Sequence, residues 1–356
     1  MAPRFVQPAL FSHRRSFSID FRQTCCHDEG KPTPPARLQP QLEEISGPVG
    51  RDRGGDATER GRGKHVYFAA PKISRFVALV LLLCLAESKS AVGQWMGKQT
   101  GCYADSLVAN PNRPTVSNPA HVTQYGVLEL EYGWDRLRPE ESVRQTSMGG
   151  LLKFGLLCDI ELRWNTTSFL SQTDASGTHR TFGDNWLGTE IRFHRQTTHL
   201  PTMAFSYAVK IPSASTENGL GTGRVDHSFT FGAGENIAHF NFDLNFSQFL
   251  IGRPTAPGFD ENQLLALAFS RTIHGGLQFA GEFYGETQLN KTILGFASSL
   301  WALTYTVIPR LMIDGGFEVG LTSGGPHRHV LFGATYAIAK LYPGHRRKPR
   351  KNPGDL

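Results

Sequence analysis

Acidic side chains recur at short, even spacings in several segments of the chain. Glu129 and Glu131 form one such pair, and Asp314 and Glu318 lie four residues apart in another segment. Carboxylates at this spacing could attract cations, hold a metal ion or exchange protons, since each of these tasks needs several acidic groups on one surface. Which chemistry they perform depends on the elements that present them.

Two-residue alternation in the same segments predicts that β-strands present these acids. Between 310 and 321, Leu311 and Ile313 alternate with polar positions that include Asp314. Successive side chains of a strand point to opposite faces, so each segment has an apolar face and a polar one. The pattern recurs from about 122 to 342 in segments of about ten residues, the length of strand that crosses a bilayer at a tilt.

The connections between these segments alternate in length. Those at 135–146, 168–184 and 252–262 are long and polar, whereas those near Cys158 and at Gly234–Ile237 are tight. Long outer loops that alternate with short periplasmic turns are typical of transmembrane barrels. We therefore predict an all-β fold: a transmembrane antiparallel up-and-down β-barrel of about 12 strands, located in the cell outer membrane with both termini in the periplasm.

The polar face of the predicted strands carries the candidate site. We assign these charged positions to the wall of a pore: Glu129, Glu131, Lys153, Glu161, Arg163, Glu190, Arg192, Lys210, Asp226, Asp243, Glu282, Glu286, Asp314 and Glu318. Asp159 is a further inward acid, so acids outnumber bases and cannot all form ion pairs. The alternative is a network that pairs internally and plugs the barrel. We predict a wet, net-negative lumen, as a cation-preferring channel would have.

The residues before the barrel divide into three segments. Residues 1–71 are rich in Arg, Pro, Gly and Glu without apolar periodicity, which predicts disorder; the alternative hypothesis is that they are not translated. Residues 72–93 combine a basic start, an apolar run and small residues at the end, the pattern of a signal peptide. Residues 94–121 contain several prolines and predict an extended periplasmic segment. The barrel then occupies 122–342, and a basic tail 343–356.

The net charge of +6 comes from the ends of the chain. The basic excess lies in residues 1–75 and 345–356, and the remainder has more acidic than basic side chains. A basic protein commonly binds nucleic acid. Here the predicted barrel is acidic, so we predict no nucleic-acid partner.

The cysteines and histidines suggest neither a metal site nor catalysis. After removal of the signal peptide, Cys102 and Cys158 remain; they could pair in an oxidising periplasm, but we favour two unrelated thiols. The sequence contains no paired Cys motif or Cys/His cluster with the spacing of metal ligands, and no Ser/His pair beside a positioned acid. We predict no catalytic residues, no metal, no cofactor and no enzymatic activity.

One family resembles this sequence across most of the predicted barrel, about 120–342. The runs that carry the resemblance are 187–193, 210–212, 221–226, 252–254 and 299–324. They resemble the bacterial outer-membrane family labelled for the meta-pathway of phenol degradation, which also contains the export channel of functional-amyloid systems, a twelve-stranded barrel with an N-terminal plug. The resemblance implies a transport channel. Residues 94–121 lack the heptads of the amyloid exporter, which favours small solutes over amyloid export.

These observations predict passive transport of small solutes, aromatic or cationic, through the lumen. Two alternatives stay open: an export channel for a protein or amyloid-type substrate, and a plugged structural or binding barrel without transport. The expected partners are outer-membrane lipid, the barrel-assembly machinery and small-molecule solutes. Whether the barrel forms a homo-oligomer is left open.

Overall fold

A computed structural model describes residues 106–217, 220–290 and 293–342 of the chain. The predicted signal peptide, the extension before it and the basic tail lie outside these residues. The described residues form thirteen β-strands: β1 (Val127–Arg138), β2 (Arg144–Leu157), β3 (Ile160–Asp174), β4 (Gly177–Thr181), β5 (Asn185–His194), β6 (Thr202–Ile211), β7 (His227–Ile237), β8 (Phe240–Gly252), β9 (Phe259–His274), β10 (Leu277–Glu286), β11 (Phe296–Ile308), β12 (Leu311–Gly320) and β13 (Arg328–Lys340).

Twelve of these strands form a closed antiparallel barrel, as predicted. Each strand pairs with the next along the chain, and β1 pairs with β13 to close the sheet. The remaining strand, β4, makes a short hairpin with the end of β3, while β5 pairs with the rest of β3. Among the described residues, no helix is long and apolar enough to cross a membrane.

Alternation along the strands separates an apolar outer face from a polar inner face. In β1, Leu130 and Tyr132 expose 37 % and 39 % of their surface, whereas Glu129 and Glu131 expose 0 % and 1 %. A soluble protein would bury the apolar side chains and expose the acids. A closed barrel with this reversed arrangement has a lipid-facing exterior, and the protein is located in the outer membrane.

The two ends of the barrel differ in their connections. One end, which we call the turn end, has short links such as Pro309–Arg310 and carries the start of β1 and the end of β13. The other, the loop end, has longer links, of which some are shorter than predicted: the connection expected at 135–146 covers only 139–143, and the one expected at 252–262 covers only 253–258. Strands of up to 16 residues extend beyond the bilayer, where both faces of a strand are polar and alternation gives no signal.

The predicted turn at Gly234–Ile237 is wrong by a few residues. Strand β7 continues through Ile237, and the turn consists of Ala238 and His239, with φ angles of 47° and 72°. Positive φ favours glycine, and neither residue of this turn is a glycine, so the sequence does not mark its position. Gly234 instead leaves room for the side chain of Asp243 on β8, because a Cβ atom at this position would lie 2.6 Å from Oδ1 of Asp243.

Candidate functional site

The N-terminal part of the described chain runs through the interior of the barrel. We call residues 109–123 the lumen segment. Its backbone amides donate to Glu161 on β3 and to Glu282 on β10, which lie on opposite sides of the barrel. We expected residues 94–121 in the periplasm; from residue 109 onward they lie in the lumen instead, because their unpaired backbone amides find acceptors on the wall.

Two glutamates of the wall each bind two consecutive backbone amides of the lumen segment. Glu131 accepts from the amides of Asn112 and Arg113 at 2.8 and 3.0 Å. Glu282 accepts from both amides of 116–117, each at 2.6 Å, and from the hydroxyl group of the second residue. An ionised carboxylate accepts several hydrogen bonds, and charge-assisted bonds are stronger than neutral ones. These two side chains therefore contribute strongly to holding the segment.

An asparagine on β8 pairs with the lumen segment as a neighbouring strand would. The amide of Asn118 donates to Oδ1 of Asn245 at 2.7 Å, and Nδ2 of Asn245 donates to the carbonyl of Asn118 at 2.9 Å. Two residues earlier on the same strand face, Asp243 accepts a hydrogen bond from the side chain of Asn241. The wall therefore binds the backbone of the segment, and every residue except proline offers the same backbone donor and acceptor.

One apolar contact adds to these polar ones. Val116 is 5 % exposed and packs into a buried cluster that includes Phe249 of β8 and Tyr284 of β10. Burial of a valine side chain contributes about 1.5 kcal/mol or more when the neighbours exclude water. The lumen segment is therefore anchored near its middle by packing as well as by hydrogen bonds.

Within the described lumen segment, Arg113 is the only residue whose cationic side chain forms an ion pair with the wall. Its Nε and Nη2 donate to the two carboxylate oxygens of Asp314 at 3.1 and 3.0 Å, and Nη2 also donates to the carbonyl of Phe332 at 3.0 Å. Burial acts to lower the pKa of the guanidinium, but attraction to Asp314 outweighs it and raises the pKa above its ordinary value. The guanidinium is therefore charged at every accessible pH.

Lys153 on β2 joins the wall to the start of the lumen segment. Its ammonium lies 2.7 Å from a carboxylate oxygen of Glu129 and 2.7 Å from one of Glu131. The same group donates to the carbonyl of Asn110 at 2.5 Å and to the side chain of Asn112 at 3.1 Å. Because the Lys153 side chain is completely buried, these partners replace the water that the ammonium lost.

Other predicted wall residues pair with one another. Arg163 lies 2.5 Å from Glu161 and 2.7 Å from Glu190. Lys210 lies 2.5 Å from Asp226 near the loop end. These pairs resemble the internally paired network that is the alternative to a water-filled lumen.

Near the turn end, Asp159 pairs with two arginines. Arg192 lies 2.6 Å from it, and Arg195, which the sequence analysis did not assign, lies 2.9 Å from it. The neighbouring Cys158 is disulfide-bonded, so the preference for unrelated thiols is wrong for this residue. Its candidate partner Cys102 lies outside the described residues.

A four-residue network occupies the wall closer to the loop end. Glu318 on β12 accepts a hydrogen bond from the hydroxyl of Tyr284 and lies 2.6 Å from Nδ1 of His329. The other ring nitrogen of His329 lies 3.3 Å from Asp135 on β1. On β10, two residues after Tyr284, Glu286 accepts from the side chain of Asn262 at 2.9 Å.

All fourteen residues assigned to the wall contact other groups in the barrel interior or at its mouth, and none belongs to the lipid-facing belt. Nine of them expose 2 % or less of their surface: Glu129, Glu131, Lys153, Glu161, Glu190, Lys210, Asp226, Glu282 and Glu318. The wall was predicted to be in contact with water, but at these nine positions the side chains are shielded from it. That these side chains line a conducting path stays a prediction.

Sequence reasoning missed the groups that satisfy the excess acids. Arg113, Asn245, Tyr284 and His329 belong to this group, together with the backbone amides of the lumen segment. The available signal was the excess itself, because buried carboxylates without bases require other donors. The nearest unassigned donors were those of the proline-rich segment before the first strand.

Comparison with known proteins supports the fold. No family model matches the chain, and no curated protein matches it. Among solved structures, the chain resembles the COG4313 outer membrane channel from Pseudomonas putida F1, with a TM-score of 0.53 and 11 % identity over 64 % of this chain and 99 % of that one. The KdgM porin and the NanC porin match with TM-scores of 0.40, at 7 % and 9 % identity over 59 % of this chain and 99 % and 100 % of theirs. The family resemblance stays a prediction.

Proposed function

We propose that the protein is an outer-membrane channel for small solutes whose lumen is closed by its own lumen segment. The observation that carries the proposal is that acceptors of the wall bind a segment which, within the described residues, starts at the turn end and is continuous with only one strand, β1. A barrel interior held by a separable peptide can open by release of that peptide, whereas an interior filled by wall side chains cannot. The similar fold of a solved channel is consistent with this function.

The open state should have a net-negative wall. Release of the lumen segment removes the amide donors from Glu131 and Glu282 and the guanidinium from Asp314. These carboxylates then meet water and mobile cations, while Lys153 and Arg163 remain on the first part of the barrel. Rings of acidic groups in a narrow pore raise the local concentration of cations. We therefore propose cationic solutes as the transported class.

Replacement of three acids tests the proposed selectivity. In a barrel without its lumen segment, we expect Asp243→Asn, Glu282→Gln and Glu318→Gln together to lower the preference for cations, because three negative groups leave the wall. The measurement is the reversal potential in a salt gradient across a planar bilayer. The matched control replaces Glu140 and Glu141, exposed on the loop after β1, by Gln. An unchanged reversal potential in the folded triple variant would exclude these carboxylates from the conducting path.

Weakening one contact should shift the channel toward the open state. Glu282→Ala removes the acceptor of two amides and one hydroxyl group of the lumen segment. Loss of hydrogen bonds to a charged group costs about 1.5–3 kcal/mol, so we expect the ratio of open to closed channels to rise by about tenfold or more. Single-channel recording measures this ratio. Glu140→Ala, at an exposed loop position, should leave it unchanged, and the same ratio in both variants would contradict the role of Glu282.

Acid should favour the open state through His121. Burial, and after it the nearby Arg192 cation, lowers the pKa of the His121 imidazole below its ordinary value of 6.5. Such a group stabilises the seated segment above about pH 6.5 and loses this contribution as the pH falls through the lowered pKa. We expect the open fraction to rise in that window and the rise to be smaller in His121→Gln. His199→Gln, at an exposed position, serves as control; equal pH dependence in all three proteins would assign the effect elsewhere.

A polypeptide is the second candidate for the transported molecule. The lumen already holds an extended stretch of chain by its backbone, as the pairing of Asn245 with Asn118 shows. Backbone contacts of this kind would accept many sequences. Passage of an unfolded peptide across the membrane of vesicles that contain the segment-free barrel, with no preference of the pore for cations over anions, would favour this candidate over the first.

A further inference from the structure

The wall contains a pocket whose shape and charge match a guanidinium group. Strand β12 supplies the carboxylate of Asp314, and β13 supplies the carbonyl of Phe332. Together they accept three hydrogen bonds from Arg113, two of them side by side on the carboxylate. Paired N–H donors on one carboxylate are the arrangement that a planar guanidinium makes and an ammonium does not.

Two glycines on adjacent strands leave the space that the guanidinium fills. Gly133 of β1 and Gly333 of β13 are register partners, and Gly333 is also the partner of Asp314. A Cβ atom on Gly133 would lie 2.4 Å from Nη1 of Arg113, and one on Gly333 would lie 2.3 Å from its Nε. Any side chain at either position would therefore displace the guanidinium from this flat surface.

The pocket is shielded from water and negative. The side chains of Arg113 and Asp314 expose 7 % and 3 % of their surface. Glu131 and Asp135 add to the attraction for a cation here. An ion pair excluded from water is screened less by salt than one at the surface. The pocket thus retains its preference in the ionic medium outside the cell.

We propose that this pocket is a binding site for small solutes that carry a guanidinium group, and that Arg113 is its internal occupant in the closed state. A solute that enters the pocket competes with Arg113 and releases one of the anchors of the lumen segment. The expectation that solute binding opens the barrel rests on the proposed channel function. The existence of the binding site does not depend on that function. It narrows the proposed cationic solutes to those of arginine-like chemistry.

An emptied pocket allows a direct test. In the full chain with Arg113→Ala, we expect ethylguanidinium to bind and ethylammonium to bind at least about tenfold more weakly, since the latter lacks the paired donors. Isothermal titration of the detergent-solubilised, folded barrel measures both affinities. Adding Gly333→Ala to this variant should abolish binding, because the new methyl group occupies the place of the guanidinium.

The matched control adds Gly232→Ala instead. Gly232 also faces the lumen, but a Cβ atom there would meet nothing closer than 3.4 Å, so ethylguanidinium binding should persist. Asp314→Asn in the Arg113→Ala background is a second variant in case the alanine at Gly333 prevents folding, and it should lower the affinity at least about tenfold by removing the charge. Gel mobility before and after heating reports folding of each variant.

The outcomes separate the site from the channel. Binding that is lost on Gly333→Ala or weakened by Asp314→Asn supports the pocket. If such a barrel never conducts, the pocket is still supported and only the proposed channel function is contradicted. An increased open fraction of the unaltered channel in ethylguanidinium, with none in ethylammonium, supports both. Absence of binding to the folded Arg113→Ala barrel, or equal binding of the two cations, would overturn the pocket.

Discussion

Deletion of residues 109–121 should convert the closed barrel into a permanently open pore. The deletion removes the amide donors that Glu131 and Glu282 bind and the cation that Asp314 binds, while the strand ladder from Val127 onward is left intact. If the segment is held by at least about 3 kcal/mol, the unaltered channel is open less than about 1 % of the time, and the mean conductance should rise by about a hundredfold. Planar-bilayer recording measures the change.

The comparison requires a folded barrel in both cases. Heat-modifiable gel mobility and resistance to protease establish this for the deletion variant. A synthetic peptide of residues 109–121 added to the segment-free barrel should reduce the conductance again, because its amides find the same acceptors. A folded deletion variant that conducts no better than the complete chain would show that another part of the barrel closes the lumen.

Replacement of Lys153 by methionine should be among the most destabilising single changes in the barrel. The substitution leaves Glu129 and Glu131 buried without the cation that lies 2.7 Å from each. Removing one partner of a buried ion pair costs about 3–5 kcal/mol, much of it from the charge left behind. The free energy of unfolding in urea, followed by tryptophan fluorescence of the barrel in detergent, should fall by that amount.

A rescue variant distinguishes lost charge pairing from lost packing. Adding Glu129→Gln and Glu131→Gln to Lys153→Met removes the uncompensated charges, so most of the lost stability should return. Lys340→Met, at the end of β13, is the control for removal of a lysine from the barrel. If the triple variant is no more stable than Lys153→Met, the cost comes from packing or from the contacts of Lys153 with Asn110 and Asn112.

The strands and the direction of their side chains could be predicted because both depend on one local rule. Alternation placed Glu129 and Glu131 inside and Leu130 outside, and pairing across the sheet left no other arrangement. The ends of the strands could not be placed as well, since β3 continues to Asp174 through residues that are mostly polar on both faces. The period of a strand is visible only where one face is apolar.

The occupant of the lumen could not be predicted by the same rule. The contacts of the lumen segment use its backbone amides, and a sequence does not show where unpaired amides find acceptors. Glu282 and the amides of 116–117 are far apart in the chain, and neither has a periodic signal that points to the other. Only Arg113 contacts the wall through a charged side chain that the sequence shows. Its partner Asp314 lies on β12, far away in the chain, and no local pattern connects the two.

Backbone recognition in the lumen has a consequence for divergence of the sequence. The amides that the wall binds belong to residues such as Asn112, Asn118 and Thr123, and the prolines of the segment, which have no amide hydrogen, lie between them at other positions. Most side chains of the segment could therefore change during evolution while its proline spacing and Arg113 persist. Related chains should keep the acids of the wall together with that spacing, and lose both together where the segment has been discarded.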